Sequence, residues 1–360
     1  MRMNFKEICD KYAKDKMFSG TCLIKKGNEV LFEGAYGYAN RAFKIPNVIN
    51  TRFDTASITK TFTAVATMQL VEKGLLSLED NIVELIDLKG TKIPADVKIK
   101  HLLSHTSGIA DDADEEAGED YSALFIDSPN YAIRECKDFL KNFAYKEPNF
   151  KAGTAVRYNN CAFNLLGLAI EKLTGTSYRD YVTKHIFEAC GMKNTKFCAM
   201  DEINENTAEG YKSIYDDKWN VIGLKKNIYS YPPIGTADSG AYTTVDDLDT
   251  FIQAIKNNEL LSEEYSKEMF MPHCEFTSDS YWQRGEKTKV RMGYAFEFIE
   301  VDDELFCLYK DGQNDGVANR FSYYPKLDLT VAILSNQDCN IWAMNDEIQS
   351  EIYDQLYLNK

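Results

Sequence analysis

Strand-forming residues crowd the two ends of this chain and leave its middle to helices. That distribution constrains the fold more than any other feature. Near the start, Gly20 to Lys25 and Val30 to Tyr38 flank a Lys26-Gly27-Asn28-Glu29 turn and read as a β-hairpin. Near the end, Gly293 to Glu300, Leu305 to Lys310, Arg320 to Tyr324 and Leu329 to Ser335 read as strands. The turns between them are short, which antiparallel neighbours allow and parallel ones do not. From Leu75 to about Gly191 the signals are mostly helical, and residues 192–238 are polar and weakly periodic. One antiparallel sheet built from both chain ends, with a helical insertion between them, satisfies this pattern. The expectation is a single α+β domain over 1–360, with sheet-containing parts at 1–75 and 240–360 and a mostly helical part at 76–239.

The 360 residues suffice for a sizeable core. A formal net charge of −15 argues against nucleic acid and anionic membrane as partners, since both would repel it. The nine cysteines are scattered, odd in number and contain no C-x-x-C, so a cysteine zinc site is not expected. So many unpaired thiols suit a reducing compartment. The N-terminus carries no signal-peptide pattern, and no run is apolar enough to span a bilayer. A cytoplasmic location is expected, unless a leader has been removed. Nothing in the sequence sets the oligomeric state.

Ser57-Ile58-Thr59-Lys60 opens a long helical stretch, with Phe62, Val65, Ala66, Met68 and Leu70 at helical spacing and Gly74 at its end. Residues i and i+3 share a helix face, so Ser57 and Lys60 point the same way. A desolvated amine can take the serine proton and permit acyl transfer. Alone, an S-x-x-K spacing arises by chance roughly once in a chain of this size. Two further clusters add weight through their order. Tyr158-Asn159-Asn160 precedes the helix Asn164 to Leu173; a phenol beside an ammonium can shed its proton and act as base or shuttle. The Asn160 amide can bond both Lys60 and a substrate carbonyl. Lys310-Asp311-Gly312 closes the strand Leu305 to Tyr309. Alternation puts Lys310 and Gly312 on one face, where Lys310 supplies positive charge and Gly312 lets substrate backbone pass.

The ordered series Ser57-x-x-Lys60, Tyr158-x-Asn160 and Lys310-x-Gly312 resembles the serine β-lactamase and penicillin-binding-protein superfamily, most closely its class C β-lactamase, esterase and D-peptidase branch. Phe53 to Ala64, His101 to Ile109, Asn164 to Gly175 and Ser239 to Leu248 also look like that branch, so the resemblance runs from about Gly20 to Ser335. It implies a β-lactamase/transpeptidase-like fold, with a five-stranded antiparallel sheet flanked by helices and a mostly helical region beside it. It implies acyl-enzyme formation at Ser57 and hydrolysis by water, without metal or cofactor. Its oxyanion hole would use the backbone N–H groups of Ser57 and Gln313. The implied substrates are small esters or amides, as for an esterase or D-amino-acid peptidase. The alternatives are a β-lactam or D-alanyl-D-alanine substrate, or an idle relative that only binds ligands.

Other residues fit less well or invite misreading. Asp311 stands where the branch usually has a small residue, and alternation points it away from Lys310. His101 and His105 have zinc-like spacing, which the resemblance makes structural. The acidic run Asp111 to Asp120 reads as a solvated loop, or otherwise as a rim favouring cationic substrates. Arg320, Tyr323 and Tyr324 read as strand packing.

Overall fold

The first strand and the last pair directly, closing one sheet from both ends of the chain. The computed structural model describes residues 4–15, 17–218, 220–276 and 282–358. Among these the main sheet has eight strands: β1 (Gly20–Lys26), β2 (Glu29–Tyr36), β3 (Cys274–Phe276), β4 (Thr288–Met292), β5 (Glu297–Val301), β6 (Glu304–Asn314), β7 (Val317–Tyr324) and β8 (Leu329–Ser335). Their order is β3-β4-β5-β6-β7-β8-β1-β2, antiparallel throughout. In the β1–β8 register Gly20 faces Ser335 and Lys26 faces Leu329.

The fold class is the expected one, and the strand count is eight rather than five; β3 and β4 are strands that the sequence reading does not contain. Two boundaries also differ from the reading. What reads as one strand from Gly293 to Glu300 is a turn followed by a strand: Gly293 N–H donates to the Phe296 carbonyl at 2.9 Å and Ala295 takes a φ of 64°, so β4 and β5 form a hairpin. Strand β6 does not stop at Lys310 but runs on to Asn314, paired with β7 from Leu308 onward.

Period-2 alternation explains how both faces of the sheet are buried. Cys22, Ile24, Val331 and Ile333 face helices α1 (Phe5–Asp15) and, near the C-terminus, α5 (Ile341–Tyr353). Leu23, Ala332 and Leu334 face the larger core, which holds α2 (Thr59–Glu72), α3 (Cys161–Thr174) and α4 (Val245–Lys256). Strands β7 and β8 are buried at every residue.

Helix α2 is buried continuously from Thr59 to Leu70. A helix enclosed on all sides has no solvent face to give it amphipathic periodicity. Phe62 meets Phe187 and Phe251 edge to face, with ring centroids 5.1 and 4.8 Å away. Truncating a phenylalanine held this way costs about 3–5 kcal/mol. Gly74 ends the helix at a φ of 67°, where a side chain would be strained. The core thus fixes the helix whose first turn carries Lys60 and which follows directly on Ser57.

Candidate active site

Ser57 lies in a 3₁₀ turn, Ala56–Ile58, that leads straight into α2. The chain enters through Ala56 at a φ of 44°, a conformation L-residues rarely hold. Buried Asp54 holds it there, its Oδ1 accepting the Ala56 N–H at 2.7 Å. Burial raises the Asp54 carboxyl to about 6.

The structure brings Ser57, Lys60, Tyr158 and Asn160 together. Lys60 Nζ lies 3.0 Å from Ser57 Oγ, 2.8 Å from Asn160 Oδ1 and 2.8 Å from the Asp238 carbonyl oxygen. These three partners suit either protonation state. The ammonium donates to all three; the neutral amine donates to Asn160 and Asp238 and accepts the Ser57 hydroxyl. Burial brings the Lys60 ammonium down to about 8, Lys310 pushes the same way, and the Asp238, Glu115 and Asp111 carboxylates oppose the shift.

The Tyr158 O–H donates to Ser57 Oγ at 2.6 Å. Both lysines lie near its ring, Lys310 Nζ at 4.8 Å and Lys60 Nζ at 5.0 Å from the centroid. Sequence reasoning expects those cations to drive the proton off. Burial dominates instead and pushes the phenol well up, with Glu115 and Glu297 adding to it. Tyr158 therefore rests as a phenol, and Lys60 is the group closer to losing a proton at neutral pH.

Lys310 is buried and salt-bridged to Glu297 at 3.1 Å, so much of its charge is already matched. Gly312 has a different role from the expected one. A Cβ there would lie 2.1 Å from the Thr55 carbonyl oxygen, so the close neighbour is the protein's own backbone. The missing side chain lets β6 press against the turn that carries Ser57. Gln313 lines the same small cavity as Ser57. Asp311 points away, as alternation requires. It faces Arg320 across β6 and β7 and pairs with that guanidinium at 3.1 Å, while Arg320 stacks over Tyr309 with its carbon 3.7 Å from the ring centroid.

The acidic run is no solvated loop where it begins. Asp111 is buried and its two oxygens accept the backbone N–H groups of Asn160 and Cys161, at 2.7 and 3.0 Å. Asp114 pairs with Arg157 at 2.6 Å, and Glu116 accepts the Tyr158 N–H at 2.9 Å. Asp111 and Glu116 thus meet free N–H groups at the entry of α3, where negative charge is favoured. Asn159 Oδ1 adds a cap on Ala162 N–H at 2.7 Å, so α3 starts at Cys161, earlier than the periodicity predicts.

The histidines are likewise occupied by backbone. His101 Nδ1 accepts the Lys98 N–H at 3.2 Å and His105 Nδ1 the Asn159 N–H at 3.1 Å. The His105 ring also stacks on Tyr158, centroids 4.6 Å apart, and so fixes the phenol's plane. Asp111, Asp112 and Cys161 place potential metal-ligand atoms within 4.8 Å of one another. Both Asp111 oxygens already serve backbone N–H groups, and burial pushes the Cys161 thiol well up, so the trio fits a helix cap rather than a metal.

Sequence reasoning misses Asp238, Glu115, His105 and Glu297. Asp238 acts through its carbonyl, which no residue type advertises. His105 was visible as part of a histidine pair, but its stacking partner lies 53 positions away in the chain.

A serine and a lysine on one buried helix turn, met by a Tyr-x-Asn loop and a Lys-x-Gly strand of an antiparallel sheet, define the β-lactamase/transpeptidase-like class. The chain belongs to the Beta-lactamase family, whose model matches residues 7–350. Penicillin-binding protein 4* of Bacillus subtilis (strain 168) is 30% identical over 286 residues, or 75% of this chain and 59% of that protein. This chain spans less than two thirds of the length of the curated relatives it matches. A penicillin-binding protein from Bacillus halodurans superposes with a TM-score of 0.87 at 33% identity, covering 98% of this chain and 100% of that one. A D-stereospecific amidohydrolase from Streptomyces sp. shares the fold, with a TM-score of 0.77 at 20% identity over 97% of this chain and 98% of that one.

Proposed function

We propose that this protein is a serine hydrolase that forms an acyl-enzyme at Ser57 and acts on small esters or amides, in the manner of an esterase or a D-amino-acid peptidase. The observation that carries this reading is the hydrogen-bonded series Tyr158–Ser57–Lys60, with the lysine buried and brought down to about 8. Neutral Lys60 takes the Ser57 proton as Oγ bonds the substrate carbonyl carbon. The carbonyl electron pair moves onto oxygen, within reach of the Ser57 and Gln313 N–H groups in the proposed oxyanion hole. When the pair returns, the bond to the leaving group breaks, and that group takes a proton from Lys60, directly or through Tyr158. Water then repeats the sequence on the acyl-enzyme and releases the acid. Nine cysteines without a disulfide support a reducing compartment. Among the described residues no helix is long and apolar enough to cross a membrane.

A β-lactamase or D-alanyl-D-alanine carboxypeptidase is the second reading, favoured by the positive charge of Lys310 beside Tyr158. The Lys310–Glu297 pair weakens it, because it lowers the pull on a substrate carboxylate. Comparing turnover of p-nitrophenyl acetate and benzylpenicillin by the wild-type protein and Ser57→Ala tests the proposal. The expected result is faster ester turnover, weak but detectable penicillin acylation, and loss of both in the variant. Efficient penicillin turnover exceeding that of the ester would promote the second reading. Removing one hydroxyl from a helix start costs only about 1 kcal/mol of stability, so the variant should remain folded.

A further inference from the structure

The proposed oxyanion hole joins two parts of the chain that no covalent link holds in register. The Ser57 N–H belongs to the 3₁₀ turn ahead of α2, and the Gln313 N–H belongs to β6. Their separation is set where the turn rests on the sheet. Two successive carbonyl groups at the entry of the turn, those of Asp54 and Thr55, face β6 and β7. The Thr55 oxygen lies against Gly312, and the Asp54 oxygen accepts a hydrogen bond from Asn319 Nδ2 at 2.7 Å. Asn319 stands directly opposite Gly312 on β7, next to Ala318, which is the partner of Gln313. Opposite residues of an antiparallel pair share a face, so Gly312 and Asn319 form one seat for the turn. A Cβ on Gly312 would come within 3.4 Å of Asn319 Nδ2.

Asn319 is fully buried, and its Oδ1 accepts the Ser335 N–H on β8 at 2.9 Å. A buried amide costs free energy unless its two ends are paired, and here both are. One side chain therefore ties the nucleophile turn to two central strands. Asp54 is held from both sides, through its carbonyl by Asn319 and through its carboxylate by the Ala56 N–H. We infer that Asn319 is a positioning residue for the reaction: it fixes the Asp54 carbonyl to the sheet and so sets the Ser57 N–H against the Gln313 N–H. The inference rests on the serine-hydrolase reading and adds to it a residue that works through the turn rather than on the substrate. Oxyanion donors act only within hydrogen-bond distance of the developing charge. A small slip of the turn on β6 thus weakens transition-state binding more than substrate binding. Lys60 is held separately, by Asn160 and the Asp238 carbonyl, so the base does not depend on this seat.

The test uses Asn319→Ala and Asn319→Ser, with Gly312→Ala straining the same seat from β6. Fluorophosphonate labelling counts the competent Ser57 in each protein, and rates are taken per labelled site. Three quantities are read: kcat/KM for p-nitrophenyl acetate, its pH profile, and the Ki of phenylboronic acid. The boron of that inhibitor bonds Ser57 Oγ and becomes a tetrahedral anion, like the transition state. The expected result is a fall in kcat/KM of about 10- to 100-fold, a matching rise in Ki, and an acid limb that stays in place. A residue that only stabilises the fold would lower the denaturation midpoint and leave kcat/KM and Ki per site at wild-type levels; that result overturns the inference. A fall in kcat/KM with an unchanged Ki also overturns it, because the loss would then lie outside the oxyanion hole. So does a displaced acid limb, which would assign the loss to Lys60. If neither Asn319 variant takes the label, Gly312→Ala decides by the same criteria. A labelled, active wild type beside unaffected variants removes the inference alone, whereas a wild type that takes no label removes the hydrolase reading with it.

Discussion

Lys60 Nζ stands 3.0 Å from Ser57 Oγ on the first turns of a helix buried from Thr59 to Leu70. The proximity follows from the i, i+3 spacing, and the lowered proton affinity follows from the burial. Three residues apart on an exposed helix, the same pair would be a solvated lysine and an inert hydroxyl.

This sets the pH dependence. Only the neutral amine accepts a proton, and its fraction grows as pH rises toward the lysine's own value. With Lys60 at about 8, kcat/KM for p-nitrophenyl acetate should climb about tenfold per pH unit on the acid side and level off above it. Lys60→Arg should be nearly as damaging as Lys60→Ala, each by about 1,000-fold or more, because arginine stays protonated. An active Lys60→Arg enzyme would contradict the assignment.

Tyr158 rests as a phenol that donates to Ser57 Oγ at 2.6 Å. Tyr158→Phe should lower kcat/KM by about 100- to 10,000-fold if the phenol relays protons. The acid limb of the pH profile should persist, because it belongs to Lys60. A profile that loses this limb in Tyr158→Phe would transfer the base role to the tyrosine.

Gly312 separates packing from substrate contact. The Cβ of Gly312→Ala would sit 2.1 Å from the Thr55 carbonyl oxygen, so either β6 or the Ser57 turn must move. The expected outcome is a loss of about 1–3 kcal/mol in denaturant unfolding together with a fall in kcat. Unaltered stability with only a raised KM would return Gly312 to its sequence-based role of letting substrate pass.

Asp311 gives the converse case. It pairs with Arg320 on the face away from the cleft, with the arginine side chain 9% and the aspartate 31% exposed. Asp311→Thr should leave acylation by penicillins unchanged but cost about 2 kcal/mol by stranding a buried guanidinium. Increased penicillin reactivity would mean that the charge at 311 reaches the cleft.

Legibility followed the range of the interactions. Ser57 and Lys60 sit one helix turn apart, so spacing alone puts them on one face. The Asp311 direction was equally local, since strand alternation decides it. One sheet drawn from both chain ends is readable because strand-forming runs mark both, whereas the direct pairing of β1 with β8 is seen only in the structure. Contacts set by tertiary approach were not readable. Gly312 looked like a substrate passage because nothing in the sequence says that Thr55 lies against it. Asp111 looked solvated because its partners, the N–H groups of Asn160 and Cys161, are 49 and 50 residues away. Glu297 meets Lys310 only through the β5–β6 register, and the turn at Gly293 hid where β5 begins. The sequence places Tyr158 with Ser57, and the two do meet, but the tyrosine's protonation state depends on burial, which a loop motif does not reveal.

The central claim is that Ser57 is a live nucleophile, and intact-protein mass spectrometry after exposure to a fluorophosphonate tests it most directly. The expected result is one adduct on the wild-type chain, mapped by peptide digestion to Ser57, and none on Ser57→Ala. An unlabelled wild type, or an adduct retained by Ser57→Ala, would contradict it.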